Sequence, residues 1–354
     1  MISVIVPLTS DEKWWKRCIS SLEQQGDQVE IICVHSSQSE ETTKLKASDQ
    51  ISLVAAQGAS FSELCAAGLE QAQGEFVAFV RGCDRWMPHF IEGCERGLSK
   101  EDVDIVVTEV VETGDSDEKK SMDVAEVKAA TNSTRFLFNL FKIGDIPWNK
   151  IYRRNVLDIA DLRAKPLSER ATGRLIELTA FARARQCSLA TRAEYQVLID
   201  KSRIGDALSA DEEFAMVMDS IEALDISAGV WEELGLMKGR ETEFLDNTQP
   251  IIGRAYYFGR IHFFAICQRF HAYFSKHFKR TDLDKTKMEP LKRYFLKSLD
   301  VIGSKRTKYH PVAFFSLLNY TTRLNFAQYF KTPSEAKEEF IAKREAKKNS
   351  RNKS

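Results

Sequence analysis

Four short, nearly continuous apolar runs punctuate the first eighty residues: Ile2–Val6, Val29–Val34, Ile51–Ala55 and Phe76–Val80. Rich in Val and Ile, they read as strands buried on both faces of a parallel sheet. Between them lie Asp11–Gln25, Ser39–Ala47 and Ser60–Gln73, which read as helices. In the first of these, Trp14, Trp15, Cys18, Ile19 and Leu22 fall at helical spacing. Ser10 or Asp11 is placed to cap its start and Gly26 to stop it, while Gly74 ends the third. The order β-α-β-α-β-α-β predicts right-handed crossovers with helices on both faces of the sheet. Ligands of such sheets bind beyond the carboxyl ends of the strands. That singles out Pro7–Ser10, His35–Ser39, Gln57–Ser60 and Arg81–Arg85.

The pattern then changes. Ile105–Glu112 predicts a further strand leading into a polar loop, Thr113–Asp123. Arg135–Lys142 and Glu169–Arg185 read as helices, Ile146–Arg153 returns to the sheet, and Leu189–Ile199 reads as a strand. From about Asp211 the pattern is helical, including Glu212–Leu224, Arg254–Phe278 and Pro290–Ile302, and Ser334–Ser354 is a charged tail expected to be disordered. The expected division is an α/β domain over residues 1–205, a helical domain over 206–333 and the tail over 334–354.

At 354 residues, with 43% hydrophobic and 29% charged positions, the chain has the composition of a folded globular protein. No run of eighteen apolar residues predicts a membrane-spanning helix, and the start shows no secretory pattern. Seven scattered cysteines without a CxxC pair read as reduced thiols that fill cores. Zero net charge conceals a division: Arg254–Ser354 holds 23 Lys and Arg against 8 Asp and Glu, leaving the rest of the chain about as acidic as this part is basic. Such asymmetry either docks basic helices on an acidic half or serves an anionic partner such as a membrane surface. Within it, Tyr256, Tyr257, Phe258, Phe263, Phe264, Phe270, Tyr273, Phe274 and Phe278 alternate with Arg254, Arg260, Arg269 and Lys276. This fits an aromatic face packed into a helical bundle or laid on an anionic bilayer. No nucleic-acid module is recognisable, and no nucleic acid is expected as a partner. Gly-rich phosphate loops, HExxH and GxSxG are absent from the sequence, and the six histidines lack ligand spacing.

The opening ISVIVP, the helix ending in SLEQQ, the strand EIICV, the segment GLEQAQGEFVAFV, then DRWMP and finally IPWNKIYRR (Ile146–Arg154) together resemble family 2 glycosyltransferases of the GT-A fold. The likeness is to those of bacterial capsule and lipopolysaccharide synthesis, and it runs from Ile2 to about Asp200. It implies an α/β, mostly parallel sheet flanked by helices and followed by a helical C-terminal part. The implied activity is transfer of a sugar, with inversion, from a nucleotide-sugar donor, UDP-linked, to a surface-polysaccharide or lipid-linked glycan acceptor. The implied location is cytoplasmic, peripheral at the inner membrane. The alternative is a catalytically degenerate relative acting as a binding or scaffold module in polysaccharide assembly.

The departures from the family pattern decide which residues to inspect. Ser36 stands where the family carries an Asp that recognises the nucleotide, and Pro7, just after the first strand, is a further candidate for binding the donor. The DxD motif, which in the family holds Mg or Mn, is replaced by Arg81-Gly82-Cys83, so Asp84 is the candidate metal ligand. Arg81 and Arg85 admit two readings. Either a guanidinium stands in for the metal against the diphosphate, or Arg81 pairs with Asp84 or Glu63 in a site that has lost its chemistry. Glu63 and Asp104 are the other carboxylates that could replace the lost aspartates. The family's catalytic base falls at Glu169-Arg170, making Glu169 the candidate base, or else a charge favouring a helix start. Trp148, Asn149 and Lys150 agree with the family: they either line the acceptor and phosphate pocket or serve the core.

Overall fold

The computed structural model describes residues 1–9, 12–37, 45, 47–113, 120–121, 147–198, 209–252 and 262–287, together with 293, 296–297, 299–300 and 303–304. Outside these lie Ser10 and Asp11, nearly all of the expected helix 39–47, most of the loop 113–123, the helix 135–142, the boundary at 205–206, much of 290–302 and the tail 334–354.

The apolar runs form β1 (Ile2–Pro7), β2 (Val29–Ser36), β3 (Ile51–Ala56) and β4 (Phe76–Phe79), with α1 (Glu12–Glu23) and α2 (Phe61–Gln71) between them. Then follow β5 (Arg85–Trp86), α3 (Phe90–Leu98), β6 (Ile105–Thr113), β7 (Lys120–Ser121) and β8 (Lys150–Arg153). After these come α4 (Ile159–Arg163), α5 (Glu169–Arg183) and β9 (Cys187–Leu198). The sheet runs β3-β2-β1-β4-β8-β6-β9-β5, with β7 beside β6. The first four strands are parallel. Beyond β4 the expected parallel pattern gives way to a mixed one: β8 runs antiparallel to both β4 and β6, β9 is parallel to β6, and β5 is antiparallel to β9. A 3-10 turn, Pro147–Asn149, leads directly into β8.

Helices cover both faces, as the alternation along the strands shows. Gly68 of α2 lies so close to β1 and β2 that a Cβ there would meet the Ile5 Cγ2 at 2.4 Å and that of Val34 at 3.0 Å. On the same face, Tyr152 of β8 meets Phe79 edge-on, and Lys150 of the same strand bonds Glu177 of α5. Gly97 of α3 approaches Val106, which belongs to the opposite face by its register with Ile151 and Ala78. The core consists of Val4, Ile5, Val6, Ile31, Ile32, Cys33, Val77, Phe79, Ile105 and Ile151, all inaccessible to solvent. Burying one such side chain contributes about 1.5–3 kcal/mol.

The C-terminal residues include α6 (Ala210–Glu233), α7 (Glu241–Ile252), α8 (Phe263–His277) and α9 (Arg280–Lys285). One compact unit contains Met1–Ser209 and Glu222–Asn247, the other Ala210–Ile221 and Thr248–Ser354, so the divisions fall within α6 and α7. In the first unit Trp231 donates its indole N–H to the Leu178 carbonyl at 3.0 Å. In the second, Phe270, Tyr273, Phe274 and Phe278 are buried and in ring contact, whereas Phe264 is exposed and Tyr256, Tyr257 and Phe258 lie outside the described residues. All seven cysteines are free, and all but the half-buried Cys83 are buried. No helix among the described residues is long and apolar enough to cross a membrane.

Candidate functional site

Register alone brings three sequence candidates to one edge. Pro7 pairs with Val34, two residues short of Ser36, and Ile5 pairs with Phe79, two residues short of Arg81. The Val80 N–H still bonds the Ile5 carbonyl at 2.9 Å, so Pro7, Ser36 and Arg81 leave the sheet side by side at its carboxyl edge. Pro7 is buried and Ser36 half-buried, and the Ser36 carbonyl lies 3.0 Å from His35 Nδ1.

Just beyond β4 the chain turns back, the Asp84 N–H bonding the Arg81 carbonyl at 2.9 Å. Asp84 is 1% exposed and is the hub of the edge. Arg81 grips it with a fork, Nε to Oδ2 at 2.6 Å and Nη2 to Oδ1 at 2.8 Å. The Tyr195 hydroxyl donates to Oδ2 at 2.7 Å, the Leu198 N–H to Oδ1 at 3.0 Å and the Cys83 thiol to Oδ1 at 3.7 Å. A carboxylate has about four lone-pair positions, and five donors fill them. Burial alone would lower the pKa of Arg81, but the charge and hydrogen bonds of Asp84 more than reverse this, so the guanidinium stays charged. Burial, then the Asp84 charge, pushes the Tyr195 hydroxyl well up and the Cys83 thiol to about 12, keeping both protonated as donors.

Arg81 also reaches Glu169: Nη1 lies 3.5 Å from Oε1. The Arg81 side chain is 24% exposed and that of Glu169 42%, so this pair is where the hub meets solvent. Glu169 sits in the first turn of α5, and the approach to that turn is tied to the start of α2. Ser62 donates its hydroxyl to the Lys165 carbonyl and accepts from the Leu167 N–H, both at 3.0 Å. Glu63 is used nearby in the capping box of α2, with the Ser60 N–H on its Oε2 at 3.0 Å. Of the two partners considered for Arg81, the structure therefore shows Asp84. Asp104 is likewise engaged, by Arg185 and Arg153.

The remaining candidates lie elsewhere. Trp148 is buried edge-on against Phe61, ring centroids 5.3 Å apart. Asn149 and Thr108 exchange hydrogen bonds, Nδ2 to the Thr108 carbonyl at 2.7 Å and Oγ1 to the Asn149 carbonyl at 2.9 Å. Lys150 Nζ, sealed from solvent, donates to Glu177 Oε1 at 2.9 Å and to Asn149 Oδ1 at 3.0 Å. An ammonium so enclosed faces the inner side of α5 instead of a ligand. Arg85, on β5, donates to the Gln196 side chain, and burial followed by the Arg17 charge lowers its pKa. Tyr195, Glu177 and Leu198 are absent from the sequence-derived candidates. The one available signal was the helical spacing of Glu169 and Glu177, two turns apart.

A Mg or Mn ion needs several oxygen ligands with open lone pairs. Asp84 has none to offer without losing Arg81 or Tyr195, and no group of three or more His, Cys, Asp or Glu that could hold a metal occurs among the described residues. The described residues do not fit such an ion.

A half-parallel sheet with helices on both faces and a polar hub at the carboxyl edge defines an α/β domain of the GT-A type. Residues 3–159 match the family model described as Glycosyl transferase family 2. Over 165 residues, 44% of the chain, it is 24% identical to the candidate glycosyltransferase EpsH of Bacillus subtilis (strain 168), and the match spans 48% of that relative's length. Among solved structures, S. aureus TarS 1–349 in complex with UDP-GlcNAc superposes with a TM-score of 0.58 over 91% of this chain and 89% of that one, at 17% identity. Another TarS structure gives 0.58 over 85% and 53%, at 16% identity. At such identities the likeness establishes the fold.

Proposed function

We propose that this chain transfers a glycosyl group from a nucleotide-sugar donor, UDP-linked, to a hydroxyl of a surface-polysaccharide or lipid-linked glycan acceptor, inverting the anomeric carbon. The observation that carries the reading is the meeting of Arg81 and Glu169 at the carboxyl edge of β1, β2 and β4, in a chain whose residues 3–159 match the family 2 model. Strand ends of this kind are where α/β sheets bind their ligands. Pro7 and Ser36 flank the position of the nucleotide. Glu169, the more exposed of the pair, takes the proton from the acceptor hydroxyl while that oxygen bonds to the anomeric carbon. The bond from that carbon to the diphosphate breaks at the same time, and the nucleoside diphosphate leaves with the electron pair. The acceptor is membrane-linked in this reading, and the basic residues of 254–354 bring the protein to the anionic inner-membrane surface from the cytoplasm.

The test is nucleoside diphosphate release from a panel of nucleotide sugars in the presence of lipid-linked glycan acceptors. Release that depends on acceptor and falls with Glu169→Gln supports the reading; neither binding nor release across the panel rejects it. A second reading, a scaffold module without transfer, is favoured by the filled lone pairs of Asp84. It predicts a bound donor without acceptor-dependent turnover.

A further inference from the structure

We infer that the guanidinium of Arg81, locked from behind by Asp84, is the group that receives the diphosphate of the donor, and that this site binds its nucleotide without a divalent cation. The inference rests on the donor-site reading above and deepens it.

A nucleoside diphosphate at the end of β4 brings a cluster of anionic oxygens whose burial needs positive charge or oriented donors. The side chain that emerges there is Arg81, leaving the sheet beside Pro7 and Ser36. Asp84 supplies no ligand to a metal, because its two oxygens already take five donors, one pair of them the Arg81 fork. A cation entering here would have to expel that fork and leave a buried guanidinium without its carboxylate, a costly exchange. The same fork suits Arg81 to the opposite task. A guanidinium has five N–H groups; two bind Asp84, and a third makes the 3.5 Å contact to Glu169, the outer limit of a hydrogen bond. The Nη1 edge is thus turned toward the exposed side of the hub, with its orientation fixed before any ligand arrives.

Tyr195 and the Leu198 N–H complete the device, since each holds one of the two Asp84 oxygens that the Arg81 fork also binds and so stops the carboxylate from turning. Because Asp84 balances the charge of Arg81, the pair contributes oriented N–H donors more than net charge. Guanidinium forks bind phosphate oxygens in this way, and a lysine does not reproduce the geometry.

The experiment is calorimetric titration of the full chain with UDP and with UDP-GlcNAc, in EDTA and in MnCl2, for the wild type and for Arg81→Lys. Lysine keeps a cation beside Asp84, and far-ultraviolet circular dichroism with a melting curve establishes that the variant folds. The expected result is a Kd equal within about twofold in the two buffers and weakened at least about tenfold by Arg81→Lys in both. Binding tightened more than about twofold by Mn2+, or unchanged in a folded Arg81→Lys, overturns the inference while leaving the donor reading intact. Absence of binding to both nucleotides in both buffers overturns the donor reading and the inference with it, a result distinguishable from the other two.

Discussion

Lys150 Nζ lies 2.9 Å from Glu177 Oε1, with both side chains sealed inside the α/β unit between β8 and α5. The pair ties the middle of α5 to the sheet two turns below Glu169, so the rotation of the helix that presents Glu169 is set by a lysine remote from solvent. Arg174 adds a weaker contact to the same carboxylate at 3.4 Å. A charge in this setting is tolerated only with its partner.

Lys150→Met should therefore destabilise the protein by about 3–5 kcal/mol, since it leaves the Glu177 charge buried with much less compensation. Glu177→Leu alone should cost a similar amount, whereas the double variant should come close to the wild type. Urea denaturation of all four proteins tests this. Additive losses would show that the two residues act separately and that α5 is held by its apolar face alone.

Tyr195→Phe removes one donor from a buried carboxylate and nothing from the fold of β9. The expected loss is about 1.5–3 kcal/mol, the range for hydrogen bonds to charged groups. It should be accompanied by weaker UDP binding, because Asp84 then holds Arg81 less firmly. A stability loss with UDP affinity unchanged would give Tyr195 a purely structural role.

These two relationships mark how far the sequence could be read. β1, β2 and β4, with α1 and α2, were legible because a strand buried on both faces leaves an unbroken apolar run; β3 was legible as a strand, but it lies at the sheet edge with Ser52 and Ala55 exposed, so its expected burial on both faces is corrected. The placement of Pro7, Ser36 and Arg81 at strand ends was legible for the same reason, since they close or follow such runs. What lay hidden depends on long-range contact. Tyr195 and Leu198 meet Asp84 from more than a hundred residues away. The two-residue strand Arg85–Trp86 is too short to leave a pattern, and α3 follows it from His89, a residue in the left-handed region at φ 63° that no local signal announced. Lys150 could be read from its motif either as a phosphate ligand or as a structural residue, and only the position of Glu177 shows what encloses it.

Asp104 gives a pH-dependent prediction. Burial pushes its carboxyl upward, but the side-chain and backbone hydrogen bonds of Arg185, with the charges of Arg185 and Arg153, outweigh this and hold it below its ordinary value. A carboxyl depressed in the folded state stabilises fully above its unfolded pKa of about 3.9, and the stabilisation disappears as pH falls through the lower folded value. Asp104→Asn should accordingly be less stable than the wild type at neutral pH, and the gap should close on acidification below about pH 4. Thermal melts across that range check it, and a gap independent of pH would contradict it.

Glu169→Gln is isosteric and leaves Arg81 bound to Asp84. If Glu169 takes the acceptor proton, turnover should fall by about 10²–10⁴-fold, while the Kd for the donor should stay within about twofold. Steady-state kinetics paired with titration separates the two quantities. A variant with normal turnover would assign Glu169 to the start of α5 and require another base.

The most direct measurement is hydrogen–deuterium exchange on the full chain with and without saturating UDP-GlcNAc. The account predicts slowed exchange in peptides covering residues 7–9, 36–37 and 80–85, at the carboxyl ends of β1, β2 and β4. It predicts no change at the opposite strand ends, where Ile2 and Phe76 border an open depression of about 650 Å³. Protection confined to that depression, or spread nowhere along the carboxyl edge, would contradict it.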